Sequence, residues 1–174
     1  MGRIVAGDSR AFEALYRLYH PRLKRFLTHV THRPALVEEA LNDTLLVVWK
    51  NPERFNGASR LSTWIFAIAY RQALQAMRRQ DLPIEDKGAD QRPALDAAPD
   101  QRLGDDQRRA ALSRAMRGLS ADHRAVIDLT YYHELGYREI AQIMGCPEDT
   151  VKTRMFHARR HLKQILAGRM ADWL

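Results

Sequence analysis

Residues 136–163 read GYREIAQIMGCPEDTVKTRMFHARRHLK. The pattern predicts two short helices joined by a tight turn, with Gly145 supplying the permissive backbone the turn needs. At about 3.6 residues per turn, Val151, Met155, Ala158, Leu162 and Ile165 share one stripe of the second helix. Lys152, Thr153, Phe156, His157 and Arg160 occupy the flanks and the opposite face. A helix that buries one side and turns a cationic, hydrogen-bonding side outward is suited to a DNA major groove.

Phe156 weighs most in that reading. The apolar stripe is complete without it, so this aromatic has no core of its own to enter. A thymine methyl or the edge of a base pair is a fitting surface. Thr153 can hydrogen-bond base edges, and Lys152 and His157 can donate to purine acceptors. Arg154, Arg159 and Lys163 suit phosphates, a role Arg160 can share; such contacts fix register without reading sequence. His157 and His161 have the i,i+4 spacing of metal ligands, but no nearby carboxylate or cysteine pair completes a site. Neither a metal nor another cofactor is expected.

A chain of 174 residues with 45% hydrophobic content can hold one ordinary domain or two small ones. Its formal charge of +7 favours a polyanionic partner. The single cysteine, Cys146, excludes an internal disulfide and fits a reducing compartment. The opening MGRIVAGDSR lacks the apolar core of a signal peptide, and no apolar run approaches the ~20 residues of a membrane span. A cytoplasmic protein is expected. No nucleophile–base arrangement, Gly-rich phosphate loop or convergent acid pair is legible, so the chain does not read as an enzyme.

Working outward, the composition divides the chain into three. Residues 1–80 carry helical periodicity, 81–106 form a Pro- and Gly-bearing linker, and 107–174 are helical and basic. Between Asp81 and Asp106 eight acids face three bases, a net of −5; against +7 overall, this leaves +12 on the flanking parts. Ser9 is the expected N-cap of a first helix that His20-Pro21 should break, with Leu23, Phe26, Leu27 and Val30 on a second. Pro34 suits the first turn of a third helix reaching Lys50, with Val37, Leu41, Thr44, Leu45 and Val48 inward and Glu39, Asn42, Asp43 and Leu46 outward. A loop at Phe55–Ser59 follows, then a helix capped by Ser62 and running to Arg78-Arg79. In the last part, Ser120 should cap a helix that Gly136 closes. No strand-period alternation competes, so the expected fold is all-α: two small helical domains on an acidic tether.

The helix beginning near Trp64 also carries Tyr70, Arg71, Arg78 and Arg79, and aromatics beside arginines are the chemistry of unpaired DNA recognition. Trp64 itself fits a core position better. The acidic face around Leu46 would repel DNA, and by itself reads as an ordinary solvated surface.

With these residues laid out, the chain resembles a bacterial extracytoplasmic-function (ECF) sigma factor of RNA polymerase. GDSRAFEALYRLYHPRLKRFL, VEEALNDTLLVVWKNPERFNG, STWIFAIAYRQALQAMRR and YREIAQIMGCPEDTVKTRMFHARRHL are similar to successive segments of that family, in its order. The resemblance implies partners that spacing does not show: core RNA polymerase, promoter DNA and an anti-sigma factor. It implies that the helix Pro34–Lys50 docks on the polymerase through Glu39, Asn42, Asp43 and Leu46, overturning the bland reading of that face. It implies that Asn56, Gly57, Ala58 and Ser59, with Arg60, hold an unpaired base of the −10 element. Tyr70, Arg71, Arg78 and Arg79 then join the −10 surface, and the C-terminal helix-turn-helix reads the −35 element. The chain departs from the family at Asn42-Asp43, where a glutamine–acid pair is common, and at Glu148-Asp149, which bring acids close to phosphates. Those two acids can read cytosine amino groups or favour the positive helix end. The rival reading is a conventional helix-turn-helix regulator, which needs dimer symmetry for paired half-sites and leaves the first domain without a purpose.

Overall fold

The computed structural model describes residues 1–81 and 112–170, with side chains to 166. Every regular element among them is helical. The N-terminal unit comprises α1 (Gly2–Val5), α2 (Ser9–Thr31), α3 (Pro34–Lys50), a 3-10 turn (Pro52–Arg54) and α4 (Leu61–Asp81). The C-terminal unit comprises α5 (112–117), α6 (Ala121–Tyr131), α7 (Tyr137–Met144) and α8 (Glu148–Met170). The acidic tether expected at 81–106 lies outside the described residues except for Asp81, the last residue of α4.

Several boundaries differ from those expected. Asp8, not Ser9, caps α2: its carboxylate accepts the amides of Arg10 at 2.9 Å and Ala11 at 3.1 Å. An ionised cap suits the positive end of the helix. Pro21 does not break α2, which runs unbroken to Thr31. Proline in a helix interior costs about 3 kcal/mol, but Leu15, Tyr19, Leu23, Phe26, Leu27 and Val30 are buried along this helix. Each large apolar side chain returns about 1.5–3 kcal/mol, so packing outweighs the local penalty. Pro21 and Arg17 are exposed, where water can reach the carbonyl left without its helical donor.

Helix α3 spans Pro34–Lys50 with all five expected inward residues buried. Ser62 sits inside the first turn of α4 and is not its cap. Ser120 caps α6, its hydroxyl accepting the His123 amide at 3.3 Å. Gly136 does not close α6, which ends at Tyr131; it is the N-cap of α7. Gly145 takes the left-handed conformation at φ 63° that ends α7 and turns the chain into α8.

The two units pack together, α2 against α6 and α4 against α7, and one apolar core runs through both. Two buried charges pin this seam, both from α6. Arg124, 6% exposed, donates from Nε (3.0 Å) and Nη2 (2.6 Å) to the Val30 carbonyl, and from Nη1 to that of Leu119. It thereby satisfies a carbonyl in the last turn of α2 from the other unit. Asp128, fully buried, contacts His29 Nδ1 of α2 through Oδ1, and His133 Nε2 stands 3.2 Å from Oδ2.

Burial alone would raise the pKa of Asp128, but the nitrogens of His133 and His29 outweigh it and hold the carboxyl below its usual range. A carboxyl with a depressed folded pKa stabilises above its unfolded value of ~3.9 and loses that contribution as pH falls below it. Asp128→Ala removes the shared acceptor and should cost about 3 kcal/mol at neutral pH, the range for breaking a buried charge pair. Urea unfolding of the two proteins at pH 7 and pH 3 checks this: the gap should be large at pH 7 and narrow at pH 3.

Candidate nucleic-acid interface

Helix α8 divides its residues as its 3.6-residue period requires. Val151, Met155 and Ala158 are buried against α6 and α7, with Leu162 and Ile165 half-buried on the same side. Lys152, Thr153, Phe156, His157 and Arg160 are all exposed, Phe156 by 62%. An aromatic this open has no packing reason to be there. The Phe156 and His157 rings lie 5.5 Å apart, edge to face, forming one aromatic knob on the outward side.

The two acids at the start of α8 engage Lys152. Its ammonium lies 3.1 Å from Asp149 and 3.6 Å from Glu148, and its pKa is raised chiefly by the Asp149 hydrogen bond. This exposed pair is weak and yields readily to a phosphate or base. Thr153 donates to the Asp149 carbonyl at 2.9 Å, which leaves the hydroxyl oxygen free to accept.

The three phosphate candidates separate. Lys163 is exposed. Arg159, also exposed, donates to the Tyr131 hydroxyl at 3.0 Å. Arg154 is turned inward, paired with Asp122 of α6 and 3.6 Å from the Cys146 sulfur.

On the N-terminal unit the loop after α3 is shaped by its own side chains. Asn56 accepts the Ala58 amide at 3.0 Å, and Gly57 between them has φ 76°. That left-handed conformation favours glycine over any residue with a Cβ. Asn56, Gly57 and Ala58 are exposed and Ser59 is half-buried. Phe55 anchors one end of the loop against Trp64, with ring centroids 5.5 Å apart; Trp64 is half-buried and packed on the core. Arg60 reaches Glu139 of α7 at 3.3 Å.

Tyr70 lies at the seam. It is 3% exposed, and its hydroxyl donates to Asp122 at 2.5 Å. Burial, then this carboxylate, raises its pKa. Arg71, Arg78 and Arg79 are exposed on α4. Arg79 reaches the other candidate face, lying 3.2 Å from Glu39 and 3.8 Å from Asp43 of α3.

That face of α3 carries Glu39 and Asn42 exposed, Asp43 half-buried and Leu46 at 47% exposure. Trp49, absent from the expected set, extends it: the side chain is exposed while its ring rests 4.8 Å from Phe12. Its position three residues after Leu46, on the stripe 39-42-46-49, was the available signal. Asp122 and Glu139 were also missed, because their contacts are made across the seam.

Substituting Asn56 and Ser59 together should alter base preference at a single position of a strand-separated DNA element. Sequencing of selected DNA checks it, and an unchanged profile would place base capture elsewhere. Gly57→Ala should weaken the same selection through a backbone penalty of about 1 kcal/mol.

Comparison with known proteins came out consistently along the chain. Residues 15–82 match the Sigma-70 region 2 family and residues 109–162 match Sigma-70, region 4. The ECF RNA polymerase sigma factor RpoE of Cereibacter sphaeroides is 31% identical over 163 residues, covering 92% of this chain and 88% of the relative. SigL of Mycobacterium tuberculosis, also an ECF RNA polymerase sigma factor, is 31% identical over 168 residues, covering 93% and 92%. Among solved structures, the sigma factor RpoE from Bartonella quintana, in complex with the anti-sigma factor NepR, superposes with a TM-score of 0.68 at 25% identity. It covers 91% of this chain and 98% of that one. CnrH, solved with the cytosolic domain of CnrY, gives 0.70 at 20% identity over 96% and 94%, a likeness of fold.

Proposed function

The chain belongs to the ECF RNA polymerase sigma factors, and from that membership we propose how its two units divide the recognition of a promoter. Proteins of this family bind core RNA polymerase and promoter DNA and direct transcription initiation; they carry no catalysis of their own, and neither does this chain.

In our reading α8 enters the major groove of the −35 element. Phe156, His157, Thr153, Lys152 and Arg160 meet base edges, and Arg159 and Lys163 hold phosphates, joined by Arg154 once it leaves Asp122. The loop Asn56–Ser59 with Arg60 holds an unpaired −10 base, and Tyr70, Arg71, Arg78 and Arg79 line the path of the separated strand. The face of α3 around Leu46, with Glu39, Asn42 and Asp43, docks on the polymerase, and Trp49 enlarges its apolar centre. Residues 81–106 tether the two units so that binding by one raises the effective concentration of the other.

The observation that carries this reading is the exposed Phe156–His157 knob on a helix whose opposite stripe is buried at Val151, Met155 and Ala158. The Bartonella quintana relative, solved with the anti-sigma factor NepR, favours such a partner here as well. No described helix is long and apolar enough to cross a membrane; we place the protein in the cytoplasm, with the polymerase.

Transcription reconstituted with core polymerase and a randomised promoter library tests the assignment and reads out the motif together. Phe156→Ala combined with His157→Ala should abolish −35-dependent initiation while leaving polymerase binding intact. A loss of polymerase binding would sink the groove assignment. Leu46→Asp should lower polymerase affinity at least tenfold with helicity unchanged, since it sets a charge in the centre of an apolar contact. Undiminished capture of polymerase would remove α3 from the docking face.

A further inference from the structure

His32 ends α2 at φ 53°, a left-handed C-cap position, and its Nε2 is buried with no hydrogen-bond partner. It lies on a cleft of about 600 Å³ where α2 of the N-terminal unit meets α5, α6 and α8 of the other. Among the described residues, the charges that act on it are of one sign. Arg117 comes from α5, Arg124 from α6 with Arg33 beside it, and His29 from its own helix. Arg159 of α8 and the phenols of Tyr131 and Tyr132 complete the wall. Two carboxylates touch members of this cluster and both are engaged: Asp81 lies 3.3 Å from Arg33, and Asp128 is taken up by His29 and His133. A proton on His32 would therefore enter a largely apolar cleft, under the charges of Arg124 and Arg117, that exists only while the units are together.

We propose that the seam between the two units is an acid-labile latch: protonation of His32 opens it and uncovers Tyr70. Burial, then Arg124, His29 and Arg117, pull the pKa of His32 from 6.5 down to about 4. Two of those cations belong to the C-terminal unit, so separation returns the imidazole towards its ordinary value. The closed arrangement thus keeps its full stability above pH 6.5 and loses it progressively as pH falls towards 4. Asp128 stays ionised over that window because its own pKa is lowered, so the His29 contact does not fail with it. From pH 7.5 to pH 5 protonation of His32 by itself lowers the closed-to-open ratio by at most about 30-fold, the ratio of the two proton-binding polynomials. The consequence for Tyr70 rests on reading that residue as part of the −10 surface; the latch itself does not.

The test uses the full chain labelled for energy transfer at Glu53→Cys and Gln164→Cys in a Cys146→Ser background. Helicity is followed by circular dichroism at each pH. Transfer should fall between pH 7.5 and 5 with helicity unchanged. His32→Asn, which keeps a residue tolerant of the left-handed backbone but does not titrate there, should abolish that fall. The same pair is measured in Tyr70→Phe, whose seam lacks the Asp122 hydrogen bond and lies nearer its midpoint. Unchanged transfer in both backgrounds, or an equal acid transition in His32→Asn, overturns the latch. At pH 5 a fluorescent oligodeoxythymidine should bind the wild type several-fold tighter than His32→Asn. Equal binding beside an intact transfer change removes Tyr70 from strand capture and leaves the latch standing.

Discussion

Only two charged side chains are buried among the described residues, and both belong to α6, four residues apart. A buried charge must be paired or satisfied by hydrogen bonds, because its desolvation costs several kcal/mol. Arg124 and Asp128 find their partners on α2, at the Val30 carbonyl and at His29. The spacing of four puts both on one face of α6, so a single helix face is committed to a single helix end. This requirement sets the register of the two units far more narrowly than the apolar contacts around it, which tolerate sliding. Apolar burial supplies most of the attraction across the seam, and the two charges choose which of the many apolar matings is made.

That choice has a cost for binding DNA. Tyr70 and Arg60, both assigned to the separated strand, are engaged by Asp122 and Glu139 of the C-terminal unit. Arg154, assigned to a duplex phosphate, shares Asp122 with Tyr70. The Phe156–His157 knob, proposed above for the −35 element, remains open in the same arrangement. The closed protein therefore exposes the helix proposed to read duplex DNA while it covers part of the surface proposed to capture a strand. A duplex contact made first, with strand capture following once the units separate, is the order that such an asymmetry favours.

The periodic features of the fold were legible in the sequence, and so was the outward face of α8. The stripe Val151, Met155, Ala158 and the far side at Phe156 follow from helical geometry alone, because an exposed helix face answers to nothing beyond its own period. At Pro21 the local rule for proline is real but only about 3 kcal/mol deep, and six buried apolar side chains on α2 override it. Gly136 was assigned to the end of one helix when it begins the next; a glycine marks a boundary without saying which. Tyr70 looked like an open aromatic because its partner Asp122 stands 52 residues away, and spacing carries no information about contacts made across a tether.

Arg124 shows the same gap from the other side. In the sequence it is one of many arginines in a basic C-terminal part, and a basic residue there is naturally counted towards DNA. Its guanidinium is instead buried and engaged by two carbonyls, so it is not presented to a partner in solvent. The electrostatic surface offered to DNA is therefore narrower than the net charge suggests. On α8 it comprises Lys152, Arg159, Arg160 and Lys163, which remain exposed, and on α4 Arg71, Arg78 and Arg79. A formal charge of +7 describes the attraction of the chain to any polyanion, whereas the sorting of arginines between seam and surface determines which face meets it.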